Sequence, residues 1–223
     1  MAKPEAKKLY DEAEKAYQEA VTLFTGLVEQ YNTVPDYLHL LASCCNNYGD
    51  LLWRTERAEK AEGIWLDTVE RFAKLARQYP TLPIYRQEQA RTLHNLGIMR
   101  SVGGQHADAG KAFAQALALR QKLADDFPDA PVYRLELATT HGELANDHVR
   151  AKLYRKAQDS FGQAIDILEA LVKRYPKEAA FKQYLIQQHQ TLADLLKGLK
   201  DPVEAEKHQR RVNELKKTLT SGT

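Results

Sequence analysis

The chemistry this 223-residue chain could carry rests on seven histidines and one adjacent pair of cysteines, Cys44 and Cys45. Two histidines on one helix bind a metal together when they share a face at close spacing, as in an HExxH zinc helix. His141 and His148 lie about 10 Å apart along a helix axis, too far for joint ligation without a third element. There is no CxxC spacing, which excludes a zinc ribbon. A bridge between neighbouring cysteines is strained, and no basic residue adjoins Cys44 or Cys45 to favour a thiolate. Both read as small buried hydrophobes in a reducing compartment. Nucleophile and phosphate motifs are also missing: no GxxxxGK[ST] loop, no GxGxxG, no GxSxG elbow. Gly103–Gly104 sits between two helical stretches, where a turn needs it. The expectation is a non-catalytic chain with no metal and no cofactor.

Composition narrows the class further. Hydrophobic residues make up 43% of the chain and charged residues 28%, enough apolar surface for a real core. Lys and Arg number 32 against 30 Asp and Glu, a net charge of +2. Such a balance lacks the phosphate attraction of a nucleic-acid binder. No stretch approaches the roughly 18 apolar residues of a membrane span. The opening MAKPEAKKLYDEAEK has no apolar core of a secretory signal. These features point to a cytoplasmic protein with no nucleic-acid or membrane partner. Glycine and proline are scarce at 11 and 8 residues, and strong helix formers dominate.

What must position any site is an internal repeat of 48 residues, set by Pro35, Pro83 and Pro131 and again by Pro80, Pro128 and Pro176. Gap-free columns follow: Ala13, Ala61, Ala109, Ala157, Ala205; Leu27, Leu75, Leu123, Leu171, Leu219. An aromatic column runs Tyr17, Trp65, Phe113, Phe161 and turns polar at Gln209. Two more are Tyr31, Tyr79, Phe127, Tyr175 and Tyr37, Tyr85, Tyr133, Phe181. Each repeat divides into two helical stretches; Ala109, Ala112, Phe113, Ala116, Leu117 and Leu123 trace one buried face. FPDAP and YPTLP end one helix and place proline in the first turn of the next. No segment alternates with period two. The reading is a lone helix at about 4–31, then helical pairs at about 35–79, 83–127, 131–175 and 179–219, all in one domain, 1–223.

At these residues the chain resembles the tetratricopeptide repeat family. The matching positions are Tyr48, Gly49, Ala61, Trp65 and Thr68; Leu96, Gly97, Ala109, Phe113 and Ala116; Leu144, Ala145, Ala157, Phe161 and Ala164; then Leu192, Ala193 and Ala205, after which Gln209 and Val212 depart. The period is 48 rather than 34. The excess is two sets of seven, and seven residues are nearly two helical turns, with a drift of about 20°. Both helices can lengthen while their buried faces stay aligned. Long-helix repeats of this kind are similar to those in large bacterial signalling proteins, some joined to Ser/Thr kinase domains; no kinase motif is present here.

The resemblance implies an all-α, right-handed α-solenoid whose first (A) helices line a concave groove for a peptide or partner protein. Carried over by register, the groove columns are Ser43, Arg91, Thr139, Gln187; Asn46, His94, Gly142, Gln190; Asn47, Asn95, Glu143, Thr191; and Asp50, Ile98, Asn146, Asp194. The expected partner-binding residues are Asn46, Asn47, Asp50, Arg91, His94 and Asn95, with Asn146 and Gln190 beyond them. Arg91 could pair a carboxylate, and the amides could fix an extended backbone. A clamp for C-terminal carboxylates is disfavoured, because Arg91 is the one cation in these columns and Asp50 stands where an Asn is expected. The other function class is a structural spacer or self-association element within a larger protein. The N-terminal helix suits it, since Tyr17, Val21, Phe24 and Leu27 keep repeat character without an A helix before them. That helix is either a lone cap or the stump of a longer chain. The last helix, with Gln209, Asn213 and Lys216, has the polar outer face of a terminal cap.

Overall fold

The computed structural model describes residues 4–31 and 34–220, and among these every regular element is an α-helix. The first three residues of the MAKPEAKKLYDEAEK segment lie outside the described residues. In chain order the helices are α1 (Pro4–Gln30), α2 (Pro35–Arg54), α3 (Ala58–Gln78), α4 (Pro83–Val102), α5 (His106–Asp126), α6 (Pro131–Arg150), α7 (Tyr154–Arg174), α8 (Ala179–Gly198) and α9 (Pro202–Thr220). The helices fall where the period places helical stretches, with A helices α2, α4, α6, α8 and B helices α1, α3, α5, α7, α9. The chain forms two compact units, Met1–Gly103 and Gly104–Thr223. In the first, α1 packs on α2, α2 on α3 and α3 on α4; in the second, α5 through α9 pack in the same sequential manner.

Helix starts follow from proline. Pro35, Pro83 and Pro131 open α2, α4 and α6, each after an extended residue, Val34, Leu82 or Ala130. Proline at this point lacks only an N–H that would be unpaired anyway, and it holds the preceding residue out of the helical region. Just before these starts, two aromatic columns meet. Tyr31 lies against Tyr37, Tyr79 against Tyr85, Phe127 against Tyr133 and Tyr175 against Phe181, with ring centroids 5.6–6.0 Å apart. Each pair straps the end of a B helix to the next A helix.

The turn from A to B has a signature that the residue types conceal. Glu56, Gly104, Lys152 and Lys200, one per repeat at the same column, all have positive φ, between 59° and 76°. Around Glu56, its N–H donates to the Trp53 carbonyl at 3.0 Å and the Arg57 N–H to the Leu52 carbonyl at 2.9 Å. Lys152 and Lys200 sit in the same paired bonds. This is a left-handed helix stop, normally made with glycine; only one of the four repeats uses one.

In the repeats 35–79, 131–175 and 179–219 the A and B helices approach through small residues. Ala61, Ala157 and Ala205 are 0–1% exposed. Trp65 is fully buried and reaches back into its own A helix, where a Cβ on Gly49 would lie 2.5 Å from its Nε1. The indole of this aromatic column is thus nested within its own repeat. Ala145 and Phe161 join the same core cluster in the second unit. In that unit one large position is charged: Arg120 takes the column of Phe24, Phe72 and Leu168, is 4% exposed and donates to the Glu136 carbonyl at 2.7 Å and to Thr140.

Removing the side chain at a left-handed position relieves more strain than the flexibility of glycine costs. Lys152→Gly and Glu56→Gly should therefore each raise stability by about 0.5–1 kcal/mol, and Gly104→Ala should lower it by about 1 kcal/mol. Urea denaturation of the three variants checks this; glycine variants with unchanged or lower midpoints would contradict the turn assignment.

Candidate functional site

On α2 the spacing of Ser43, Asn46, Asn47 and Asp50 places four polar side chains on one helix face. On α4, Arg91, His94 and Asn95 repeat the arrangement. In the N-terminal unit these faces meet in a recess of about 320 Å³ lined by Tyr17, Asn46, Asn47, Asp50, Arg91 and Asn95. Five of the expected residues are thus brought together, with Tyr17 of α1 as an added wall. His94 is half-buried beside them and engaged within the chain, outside the lining.

The floor is a closed network. Asn46 is 1% exposed. With its amide oxygen turned to the guanidinium, it accepts from Arg91 Nη1 at 2.9 Å and Nη2 at 3.1 Å, and its nitrogen donates to Thr92 Oγ1 at 2.9 Å. Its backbone carbonyl accepts from Trp65 Nε1 at 2.9 Å. Arg91 also donates from Nε to Glu88 Oε2 at 3.0 Å and from Nη1 to Asn47 Oδ1 at 3.3 Å, and pairs through Nη2 with Glu88. The expectation that Arg91 meets a ligand carboxylate is therefore changed: its donors are taken up by Glu88, Asn46 and Asn47, and it braces α4 against α2. Asn46, expected on the groove surface, is buried for the same reason. What faces outward is Asn47, Asn95, Asp50 and Tyr17. Asp50 accepts from Arg54 Nε at 2.6 Å, one turn on, while Asn95 offers its amide with no recorded partner among the described residues.

Tyr17 is placed by stacking on Tyr48, centroids 6.1 Å apart and 25° between planes. The Tyr48 hydroxyl donates to Glu14 at 3.2 Å and accepts from Gln18 at 3.1 Å; Arg57 donates to Glu14 at 2.6 Å. The Arg57 guanidinium holds the Glu14 carboxyl below its usual range. In the sequence Tyr17 stands as one member of the aromatic column. Its hydroxyl, alone in a column of Trp65, Phe113 and Phe161, was the available signal. Glu88, three residues before Arg91, was the signal for the internal ion pair.

The C-terminal unit holds the remaining two residues in separate surroundings. Asn146 on α6 donates to Glu143 at 3.3 Å; Gln190 on α8 donates to Asp194 and to Gln209 Oε1, each at 3.3 Å. Four histidines there have partners within the chain. His148 Nδ1 lies 3.2 Å from Ser160 Oγ, and His106 Nδ1 lies 2.7 Å from the buried Asp147. His189, 5% exposed, faces His208 with the two Nδ1 atoms 2.8 Å apart. One must donate and the other accept. The Glu169 carboxylate, 3.6 Å from His189 Nε2, favours the hydrogen on that nitrogen, leaving His208 as the Nδ1 donor. Glu169 itself is held by Arg211 through bonds of 2.7 Å from Nε and Nη2, which keeps its carboxyl below the usual range. Among the described residues no three potential metal ligands cluster. Burial pushes the Cys45 thiol up to about 11 and raises that of Cys44.

No protein-family model matches this chain, and no curated protein matches it. Among solved structures it is similar to BtubC (BKLC) from P. vanneervenii, with 13% identity over 95% of this chain and 92% of that one and a TM-score of 0.56. It is also similar to MamA, with 14% identity over 99% of both chains and a TM-score of 0.53, and to the MamA RS-1 ArsTM double mutant, with 16% identity over 96% of both and 0.51. At these identities the likeness shows the fold: all-α, of the helical-repeat, tetratricopeptide-like kind.

The buried histidines make stability depend on pH. Burial lowers the pKa of His141, His148, His189 and His208 below the ordinary 6.5. The unfolded chain then takes up protons that the folded chain refuses, so stability is full above 6.5 and is lost as pH falls through the folded values. Glu169 adds a further loss below 4.5. Urea midpoints should fall steadily from pH 7.5 to pH 5, and His189→Leu/His208→Leu should flatten that slope; a wild-type profile that is already flat contradicts the assignment.

Proposed function

We propose that this chain acts, as one domain over residues 1–223, as a non-catalytic protein-interaction module that takes a peptide or partner protein on the inner face of its A helices. The observation that carries the reading is the recess between α2 and α4, where a braced, buried floor leaves Asn47, Asp50, Asn95 and Tyr17 facing outward. Amide groups both donate and accept, the chemistry needed to hold a peptide backbone. The same helix faces change character toward the helix starts. Leu40 and Ile84 are 43% and 37% exposed, and they stand in the same offset across α2 and α4 as the bonded pair Asn47 and Arg91. The ligand that fits is a segment with an apolar side chain over Leu40 and Ile84 and a backbone running along the amides. In the C-terminal unit, Val132 and Tyr184, 44% and 38% exposed, with Asn146 and Gln190, give α6 and α8 a comparable apolar-to-polar gradient.

Two free, buried or half-buried thiols with raised pKa suit a reducing compartment such as the cytoplasm. Among the described residues no helix is long and apolar enough to cross a membrane. A second reading, a spacer or self-association element, draws support from the exposed apolar side chains of α1, Leu9 at 65% and Leu23 at 69%.

Affinity capture from source lysate, comparing wild type with Asn47→Ala/Asp50→Ala/Asn95→Ala, tests the main reading. Asn47→Ala removes the 3.3 Å bond from Arg91, but the Arg91 bonds to Asn46 and Glu88 remain, and circular dichroism verifies that the variant is folded. A partner retained by wild type should bind the variant at least about tenfold more weakly, roughly 1.4 kcal/mol. Equal affinity for both would remove the inner face from the account.

A further inference from the structure

The turn from α6 to α7 outweighs the net charge of the whole chain. Residues 150–156 hold Arg150, Lys152, Arg155 and Lys156 and no acid, while the chain carries +2 in all. The turn from α8 to α9 adds Lys197 and Lys200 against Asp201. Both turns lie at one end of the C-terminal unit, because Val149, Ala157, Leu196 and Ala205, which flank them, share one core cluster. Lys152, Arg155, Lys156 and Lys200 are exposed and enter no ion pair among the described residues. Of the acids near them, Asp147 is buried against His106, Asp194 holds Lys197, and Asp201 accepts from the Glu204 N–H at 3.2 Å. Asp159, further along α7, remains exposed. The N-terminal unit treats the same turn differently, since Arg54 and Arg57 are taken up by Asp50 and Glu14.

Among these cations stand apolar side chains that the repeat does not call for. Leu153 and Tyr154 are 45% and 38% exposed, where the aligned residues are Arg57 and Ala58, Gln105 and His106, Asp201 and Pro202. Leu153 is the N-cap of α7, a place that favours Ser, Asp or Asn. It makes no capping bond, whereas Asp201 in the same column does. Leu199 and Val203, 37% and 65% exposed, add apolar surface at the next turn. Lys152 and Lys200 stand at positive φ, where glycine would be less strained. Side chains that neither cap nor pack, on backbone that favours glycine, point to a role outside the chain.

We propose that this end of the C-terminal unit docks on an anionic lipid surface. Leu153, Tyr154, Leu199 and Val203 enter the interface, and Lys152, Arg155, Lys156 and Lys200 sit over the headgroups. Each lysine or arginine near an anionic leaflet strengthens attachment, and exposed aliphatic and aromatic side chains gain by leaving water there. A nucleic acid would engage the cations through its phosphates but give Leu153 and Val203 no apolar medium to enter. A folded acidic partner needs cations held in fixed geometry, and no acid holds these four. Both turns close the unit on one side, so a plane meets them together without a groove. The attachment is to a surface: among the described residues no helix is long and apolar enough to cross a membrane.

The probe is vesicles of phosphatidylcholine alone, or of phosphatidylcholine and phosphatidylglycerol in equal parts, co-sedimented with the full chain. The chain should bind the anionic vesicles and not the neutral ones, and added salt should release it. Lys152→Gly/Lys200→Gly relieves the left-handed turns and is expected to stabilise the fold, yet it should weaken binding at least about tenfold. Unfolding cannot produce that combination. Leu153→Ser/Tyr154→Ser, folded by circular dichroism, keeps every cation and should weaken binding at least about threefold. Asn47→Ala/Asn95→Ala should leave vesicle binding unchanged, which separates this edge from the recess on α2 and α4. Absence of binding to anionic vesicles, equal binding to neutral ones, or either turn variant binding as wild type does overturns the proposal. So does a poly-glutamate peptide or a single-stranded oligonucleotide that binds as tightly as the vesicles, since the partner would then be an acidic protein or a nucleic acid.

Discussion

The contact on which the N-terminal unit depends is an indole against a bare backbone. Because Gly49 has no side chain, Trp65 lies where a Cβ would stand 2.5–2.9 Å from three of its ring atoms, and its Nε1 reaches the Asn46 carbonyl. This one approach sets the separation of α2 and α3. It also fixes the turn of α2 that carries the site, because the residue receiving the indole hydrogen bond is the floor of the recess. Core packing and surface chemistry therefore meet in Asn46, whose main chain serves Trp65 and whose side chain serves Arg91 and Thr92. A buried polar group is costly unless satisfied, and here every bonding group of Asn46 has a partner.

The consequence for function is a division of labour along one helix face. Arg91 looks like a ligand-binding cation in the sequence, but a guanidinium with five donors is equally suited to bridge several acceptors at once. Glu88 supplies the countercharge on α4 and the two asparagines the acceptors on α2. The recess is in this way held open by a rigid floor, and the outward groups are uncharged amides, a tyrosine and a carboxylate already tied to Arg54. Such a surface favours hydrogen bonding over charge attraction, in keeping with a chain whose net charge is +2.

The fold was legible because it is written in spacing. Proline columns located the starts of α2, α4 and α6, and alanine and aromatic columns located the A–B contacts. Residue type misled where backbone or cross-helix geometry decides. The left-handed turn residues Glu56, Lys152 and Lys200 carry no glycine signal, and only their alignment with Gly104 betrays them. The burial of Asn46 depends on Trp65 and Arg91, which approach from other helices. The His189–His208 pair joins residues 19 apart on α8 and α9, an offset that repeat columns do not display. Of the candidate site, its helix face was readable, and the separation of floor from rim was not.

The central claim is that partners meet the inner face of α2 and α4. Hydrogen exchange by mass spectrometry, on the full chain with and without its captured partner, tests it most directly. The account predicts slowed exchange in segments spanning 36–50 and 84–98, with the B helix α3 unaffected. Protection confined to α3, or no change on either A helix, would contradict it.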